Sequence, residues 1–309
     1  MSLPRRYGEY LALRGLVGVL NFLPLEASTW IAHRVADLTF DVLLTKRRKT
    51  ALKNLDRAFG DTLSVEEKTR IARESMRSIV TSLFELFRLP LLIREAAERF
   101  IIEDADNARK VFEKRKGLIL VISHIGSWET LGLLPWMEKF HCSVVVRESR
   151  NPFLDHWVNR CRSSTGLVPV NRKASMKPML RELKANHLVA ILIDQWAGPD
   201  GVWMDFFGTP TSVTDIPARL AQRTGAGLVP ACCLRTATGH YKIKIYPEIS
   251  FEADAENPVL ATTRKLNQHL EGLIREYPGQ WAWSHRRWKE KGRHNSRTAA
   301  EETPSSQPG

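Results

Sequence analysis

The segment Leu118-Ile119-Leu120-Val121-Ile122-Ser123-His124-Ile125-Gly126-Ser127-Trp128-Glu129 decides the fold. Its apolar half predicts a strand that is buried on both faces, as in a parallel sheet. Gly126 allows a sharp turn, and the residues after it begin an amphipathic, helix-like stretch. A buried strand, a turn and a helix in succession are typical of a βαβ unit, so the segment predicts an α/β domain.

The same alternation continues along the chain. Further apolar runs predict strands at residues 142–147, 167–170, 188–194, 227–234 and 241–246. Amphipathic stretches predict helices at residues 127–139, 152–165, 175–186, 215–224 and 257–276. We therefore predict one α/β domain with a mostly parallel central sheet flanked by helices.

The region before the first strand has a helical pattern. Ser64-Val65-Glu66-Glu67 is a capping box and predicts a helix that runs to about Phe87 and is ended by Leu89-Pro90. Nearer the N-terminus, the longest uncharged run, Gly15 to Leu25, is shorter than the roughly 20 residues that a membrane-spanning helix needs. We predict one or two helices lying on a membrane surface, with a break at Pro24. An ordinary pair of core helices is the alternative.

Basic residues outnumber acidic residues 46 to 34, which gives a formal net charge of +12. Basic clusters at residues 46–53 and 286–293 adjoin apolar or tryptophan-rich segments. This pattern favours a membrane surface with anionic head groups over nucleic acid, for which the sequence has no recognised motif. Alternatively, the excess charge serves only solubility.

The four cysteines include no Cys-x-x-Cys pair. Strand-like surroundings predict buried thiols at Cys142, Cys232 and Cys233, rather than a metal site or a disulfide framework. Free thiols are typical of a reducing compartment.

Polar side chains follow three of the predicted strands: His124, Arg147 and Asp194. Ligands of open α/β sheets bind at the carboxyl ends of strands, so we expect these residues at one edge. Imidazole is the usual base for a hydroxyl near neutral pH, and Glu129 is positioned to accept a hydrogen bond from the other ring nitrogen. Because the sequence has no Gly-x-Ser-x-Gly elbow, we expect the substrate to supply the nucleophilic oxygen. On spacing alone, a helix cap remains the alternative role for His124.

The block His124-x4-Glu129 resembles the His-x4-Asp/Glu signature of the lysophospholipid acyltransferase superfamily. Further blocks are similar, in the same order, to the lipid A biosynthesis late acyltransferases, the lauroyl and myristoyl transferases. These blocks are Arg47-Arg48-Lys49-Thr50-Ala51-Leu52-Lys53-Asn54-Leu55 with Ala58-Phe59, Asp194-Gln195 with Phe206-Phe207-Gly208, and Tyr277-Pro278-Gly279-Gln280-Trp281-Ala282-Trp283-Ser284-His285-Arg286-Arg287-Trp288. The resemblance extends roughly from Arg14 to Lys289. Ile125 and Ser127 depart from it, since the family often has an aromatic residue and Asn there.

The resemblance implies a glycerolphosphate acyltransferase-like fold and transfer of a fatty acyl chain from acyl carrier protein or acyl-CoA to a hydroxyl of a lipid acceptor. A lipid A precursor is the leading acceptor, on the cytoplasmic face of the inner membrane. His124 would be the general base and Glu129 would orient it, without a metal or another cofactor. We divide the chain into membrane-associating helices at residues 1–45, an acyltransferase domain at 46–290 and a flexible polar tail at 291–309.

The remaining candidates would contact substrate, membrane or carrier protein. Arg147 is suited to an acceptor phosphate or to the oxyanion of the thioester, with a surface salt bridge as the alternative. Asp194 ends an apolar run, where a carboxylate is either functional or a structural partner. Further predicted substrate contacts are Gln195, Asn151, Arg160 and the turn residue Gly208. Gln195 begins a loop through Gly198, Gly201 and Trp203 that has features of a lid. Predicted membrane or carrier contacts are Arg47, Arg48, Arg286, Arg287 and Trp288.

Three other functions remain open. In the first, the acceptor is a different lipid, such as a phosphatidylinositol mannoside or a lysophospholipid. In the second, the protein is a thioesterase, in which water replaces the acceptor. A basic membrane- or nucleic-acid-binding protein is the third, and it leaves the His124 segment unexplained.

Overall fold

The computed structural model describes residues 3–171 and 176–289, so the tail predicted at 291–309 lies outside the described residues. The strands are, in chain order, β1 (Phe100–Glu103), β2 (Leu118–Ile122), β3 (Cys142–Val146), β4 (Val168–Asn171), β5 (Leu188–Leu192), β6 (Val202–Phe206), β7 (Thr209–Val213), β8 (Gly227–Ala237) and β9 (His240–Ile245). The α-helices are α1 (Leu3–Phe22), α2 (Leu25–Leu38), α3 (Thr45–Phe59), α4 (Val65–Leu92), α5 (Ala96–Arg99), α6 (Asp106–Glu113), α7 (Leu133–Met137), α8 (Pro152–Ser163), α9 (Lys177–Lys184), α10 (Ile216–Thr224) and α11 (Pro258–Glu276).

The main sheet has the strand order β1-β9-β8-β2-β5-β3-β4, and β6 pairs with β7 in a separate hairpin. Strands β8, β2, β5, β3 and β4 run parallel, whereas β9 is antiparallel to β8 and parallel to β1. The α/β class with a mostly parallel sheet is therefore confirmed. Register pairs Ile122 with Leu192, so β2 and β5 end side by side.

Strand β2 explains why the deciding segment is apolar throughout. Leu118, Leu120 and Ile122 belong to the core on one face of the sheet, and Ile119 and Val121 belong to the core on the other. Each fully buried aliphatic side chain of this size contributes about 1.5–3 kcal/mol of transfer free energy. A polar residue at any of these positions would lose that contribution.

The N-terminal region is helical and breaks at Pro24, as the sequence predicts. Helix α1 ends at Phe22, and α2 begins at Leu25 and continues as a π-helical turn at Thr39–Leu43. Among the residues that the structure describes, none of the helices combines the length and the apolar character needed to cross a bilayer.

Two local predictions were wrong, and one strand was missed. Helix α4 continues past Pro90 to Leu92, because burial of Leu89 and Leu92 holds the last turn against the core and outweighs the one backbone hydrogen bond that the proline removes. Residues 202–206 form a strand of the β6–β7 hairpin rather than part of a lid loop. The edge strand β1 was not predicted, because four residues are too short for a periodic signal.

Candidate active site

His124 follows the end of β2, and Asp194 lies two residues beyond the neighbouring strand β5. The His124 ring atom Nδ1 lies 2.8 Å from Asp194 Oδ1, and the His124 backbone N–H donates to Asp194 Oδ2 over 2.8 Å. A carboxylate is only an acceptor, so Nδ1 carries the proton and Nε2 keeps its lone pair. Nε2 lies 3.2 Å from the Gln195 side-chain nitrogen, which donates to it in this tautomer.

The structure corrects the role predicted for Glu129. Its carboxylate accepts two hydrogen bonds from Arg162, from Nη2 over 2.7 Å and from Nε over 3.0 Å, and the hydrogen bond to His124 Nδ1 is made by Asp194 instead. The reason is the strand order, because β5 lies directly beside β2. Glu129 lies beyond the turn, where its side chain meets α8. Both His124 and Glu129 nevertheless line one cavity.

The partly buried His124 and the buried Asp194 are electrostatically coupled. Desolvation lowers the pKa of His124, but attraction to the Asp194 carboxylate outweighs it and the pKa is raised above its ordinary value. Burial acts to raise the pKa of Asp194, yet His124 and the hydrogen-bond donors around the carboxylate hold that pKa well below its usual range. Asp194 is therefore ionised, and His124 becomes a stronger base than an isolated imidazole.

A second set of contacts fixes the turn that carries His124. Gly126 has φ +60°, and its N–H donates to the Gln280 carbonyl over 2.9 Å. The next N–H, of Ser127, donates to the Cys233 carbonyl over 2.7 Å. A side chain at position 126 would place Cβ 2.1 Å from that same carbonyl oxygen, so only glycine fits.

A buried charged network lies beneath the same turn. Glu85 accepts hydrogen bonds from Arg235 Nε over 2.9 Å, from the Tyr241 hydroxyl over 2.8 Å and from the Ser127 hydroxyl. Because the Glu85 carboxylate is paired and also hydrogen-bonded, its burial is compensated. The network thus ties α4, β8 and β9 to the turn after His124.

The cavity beside His124 has a volume of about 910 Å³. One part of its wall is apolar and comes from the strands and the segment after the turn, from Leu120, Ile122, Leu131, Pro135, Cys142, Val144, Leu167 and Leu192. The other part is basic and comes from Lys46, Arg47, Arg147, Arg286 and Lys289. His124 therefore lines a cavity whose apolar side chains suit an alkyl chain and whose basic side chains suit an anionic group.

Two of the three predicted strand-end residues line this cavity, and the third, Asp194, contacts one of them, His124. His124 and Arg147 line it, as does Gln195, the neighbour of Asp194. The cavity also includes Arg47 and Arg286, two of the predicted membrane or carrier contacts. His285 lines it as well, and burial lowers its pKa to about 4, which keeps that ring neutral.

Other predicted substrate contacts lie elsewhere. Asn151 caps α8, accepting hydrogen bonds from the Phe153 and Leu154 backbone N–H groups. Arg160 lines a separate cavity of about 340 Å³ together with Arg14. Gly208 has φ +67° in the two-residue turn between β6 and β7, as predicted for a turn glycine.

Two of the predicted membrane or carrier contacts are wrong. Arg287 is fully buried, where it donates to the Gln195 carbonyl over 2.6 Å and to the Ser212 carbonyl over 3.2 Å. Trp288 is buried as well and packs against Phe206 with the two rings tilted and their centroids 5.7 Å apart. A run of basic and aromatic residues is compatible with an exposed or a buried position. Here backbone carbonyls supply the hydrogen-bond partners that burial of Arg287 requires. Arg48 lies over the Phe40 ring, 5.0 Å from its centroid, and is not part of the cavity wall.

Three contributors to the site were missed from the sequence. Trp281 donates from its indole N–H to Asp194 Oδ2 over 2.9 Å. Glu85 gives a usable signal, because it lies on the same helical face as the apolar Leu89 and Leu92. Arg162 gives none, since nothing in the local sequence distinguishes it from Arg160.

Comparison with known proteins gives one family. Residues 1–290 match the family model described as bacterial lipid A biosynthesis acyltransferase. A phosphatidylinositol mannoside acyltransferase of Mycolicibacterium smegmatis is 25% identical over 230 residues, which cover 71% of this chain and 72% of that protein. The lipid A biosynthesis palmitoleoyltransferase of Escherichia coli is 26% identical over 295 residues, 93% of this chain and 92% of that protein. The lipid A biosynthesis lauroyltransferase of Escherichia coli is 26% identical over 254 residues, 80% of each chain.

Proposed function

Since the chain belongs to the bacterial lipid A biosynthesis acyltransferase family and is an acyltransferase, we propose that it moves a fatty acyl chain from a thioester donor to a hydroxyl of a lipid A precursor. One observation carries the proposal: His124, coupled to Asp194, lines a cavity whose wall has both apolar and basic side chains. A wall of this composition suits a reaction that joins an alkyl chain to an anionic lipid.

The mechanism begins at His124 Nε2, whose lone pair takes the proton of the acceptor hydroxyl. The hydroxyl oxygen attacks the thioester carbonyl carbon, and the imidazolium that forms is stabilised by Asp194. The tetrahedral intermediate collapses with cleavage of the C–S bond, and the leaving thiolate takes the proton back from Nε2. An ester and a free thiol result, and His124 returns to its starting state.

Neighbouring side chains have positioning roles in this proposal. The Gln195 amide donates to Nε2 before the acceptor binds, so the acceptor hydroxyl takes the place of that contact. The amide is then free to donate to the oxyanion of the intermediate. Glu129 holds Arg162 in the cavity wall, and the bidentate pair keeps that side of the active site in one conformation.

The basic wall supports an acceptor that carries phosphate. Arg147 and Arg286 are exposed side chains on this wall, and guanidinium groups bind phosphate oxygens in a bidentate manner. A lipid A precursor fits this chemistry. A phosphatidylinositol mannoside also carries a phosphodiester, and a relative of this chain bears that acceptor in its name, so it is the second candidate acceptor.

The donor thioester is carried by acyl carrier protein or by coenzyme A. Both present anionic groups near the thioester, and Arg47, Lys46 and Lys289 are the cations on the wall that fit either donor.

We also infer that the protein works at a membrane surface, on the cytoplasmic face of the inner membrane. Trp30, Leu38 and Val42 follow one another at intervals of four or eight residues along α2 and the π-helical turn and are exposed. Leu43 and Leu44 extend this apolar stripe, and Leu44 itself lines the cavity. We infer that the acceptor enters the cavity from the membrane along this stripe.

The test is a transfer assay with purified protein, an acyl thioester and a radiolabelled lipid A precursor in mixed micelles. We expect acceptor-dependent product, and we expect His124→Ala to lower kcat by about 10²–10⁴-fold, the usual contribution of general acid–base catalysis. His240→Ala, an exposed histidine on β9, is the matched control and should retain full activity.

Three outcomes distinguish the alternatives. Transfer that survives in a folded His124→Ala variant refutes the assigned base. Product with a phosphatidylinositol mannoside and none with lipid A precursors selects the second acceptor. Thiol release that is independent of acceptor identifies a thioesterase and refutes acyl transfer as the main reaction.

A further inference from the structure

We propose that His141, Glu182 and His187 form a binding site for a divalent transition metal, of which Zn²⁺ is the representative ion. The three residues lie at the amino ends of β3 and β5 and in the last turn of α9. The active-site residues His124 and Asp194 lie at the opposite side of the sheet, beyond the carboxyl ends of β2 and β5. The two sites are separated by the length of a five-residue strand, roughly 15 Å.

The ligand atoms already have the spacing of a metal shell. Glu182 Oε2 lies 3.0 Å from His187 Nδ1 and 3.3 Å from His141 Nε2, and all three ligand atoms lie within 4.8 Å of one another. Tetrahedral Zn²⁺ with bonds of about 2.0–2.2 Å holds neighbouring ligand atoms about 3.3–3.6 Å apart. Binding therefore requires small rotations of side chains and no movement of the backbone.

The backbone holds the three side chains in place without an ion. Register pairs Cys142 with Leu188, so the preceding residues His141 and His187 are neighbours across β3 and β5. The Leu188 N–H donates to the His141 carbonyl over 2.9 Å. The His187 N–H donates to the Glu182 carbonyl over 3.0 Å, which closes the turn from α9 into β5. A preformed site of this kind avoids most of the ordering cost of binding.

The donor set selects the class of metal. Two imidazoles and one carboxylate suit Zn²⁺, Co²⁺, Ni²⁺ or Cu²⁺, whereas Mg²⁺ and Ca²⁺ prefer oxygen ligands. His141 and His187 are partly exposed, so an ion reaches the site from solvent and water completes its coordination shell.

The test uses the full chain, freed of metal with EDTA and titrated with ZnCl₂ by calorimetry and with CoCl₂ by visible absorption. We expect one ion per chain and a Co²⁺ spectrum typical of four or five ligands. His187→Gln and Glu182→Gln should each weaken Zn²⁺ binding at least about tenfold, because each removes one ligand. His240→Gln, an exposed histidine outside the cluster, should leave the affinity unchanged.

Two results overturn the proposal. One is a titration of the folded chain without a Zn²⁺ isotherm or Co²⁺ bands. The other is an unchanged affinity in both His187→Gln and Glu182→Gln, which would assign the ion to other residues. Circular dichroism of each variant verifies folding, and we expect acyl transfer to persist in both variants because the active site lies at the opposite strand ends.

Discussion

The Asp194 carboxylate accepts three hydrogen bonds, from the His124 ring, the His124 backbone and the Trp281 indole. Each donor favours the ionised form of the carboxyl group. The carboxylate in turn selects the tautomer in which Nε2 of His124 faces the cavity as a base. Orientation and basicity of the histidine therefore both depend on Asp194.

Asp194→Asn should retain the fold and lose most of the activity. An amide at this position removes the negative charge that stabilises the imidazolium, and it permits the wrong ring tautomer. We expect kcat to fall by about 10²–10⁴-fold, as in other His–carboxylate pairs. Steady-state kinetics measure the effect, with Asp254→Asn, an exposed aspartate in a loop, as the control. Activity within a factor of two of the unaltered protein would contradict the assigned role.

The pH dependence of kcat/KM should report His124. Catalysis requires the neutral ring, so activity falls as the pH drops through the pKa of His124. Because Asp194 raises that pKa, the transition should lie above the ordinary histidine value of about 6.5. In Asp194→Asn the remaining activity should show the transition at lower pH. Identical profiles for the two proteins would argue against the coupling.

At the scale of elements, the turn between β2 and the helical segment after it is held by backbone contacts. Gly126 approaches the Cys233 carbonyl on β8 more closely than any other residue type allows. Ser127 connects the turn to Glu85 on α4. The position of His124 is therefore set by its packing against two other elements as well as by its own strand.

Gly126→Ala should destabilise the protein and impair catalysis together. The left-handed backbone costs about 1–2 kcal/mol for a residue with Cβ, and the clash with the carbonyl adds to this, so we expect a loss of more than about 2 kcal/mol. Gly18→Ala is the matched control, because its Cβ meets no atom within 4 Å in α1. Urea unfolding measures both variants. Equal unfolding free energies for Gly126→Ala and Gly18→Ala would contradict the constraint on the turn.

For the molecule as a whole, the exposed apolar stripe of the N-terminal helices and the basic cavity wall adjoin at Leu44. We propose that the two features together orient the protein on a bilayer, with apolar side chains in the interface and cations near anionic head groups. This orientation presents the cavity to the lipid acceptor.

The double variant Val42→Glu/Leu43→Glu should lower binding to anionic vesicles. The two side chains are 62% and 63% exposed, so the fold should not change. Loss of about 1.5–3 kcal/mol of transfer free energy per apolar side chain lowers partitioning at least about tenfold. Vesicle sedimentation measures it, with the 66% exposed Ile101→Glu on β1 as the control. Equal sedimentation of the variant and the control would rule out the stripe as the membrane contact.

Local periodicity was sufficient for much of this protein. The apolar run of β2 requires burial on both faces, and the break at Pro24 follows from the missing N–H of proline. Likewise, the three polar strand ends at His124, Arg147 and Asp194 lie at one edge, because parallel strands end together. Hydrogen bonds and burial within about ten residues dictate the strand and the helix break, whereas the shared edge follows from the parallel direction that the βαβ pattern predicts.

Long-range packing decided the rest. Asp194, rather than Glu129, meets His124 because β5 lies beside β2, and strand order is not encoded in the spacing between His124 and Glu129. Arg287 is buried because backbone carbonyls distant in sequence converge on it, and a basic tryptophan-rich run is equally compatible with a surface. In each case the partner is brought close by the order and register of the sheet or by packing across the core, which depend on the free energy of the whole core rather than on any local segment.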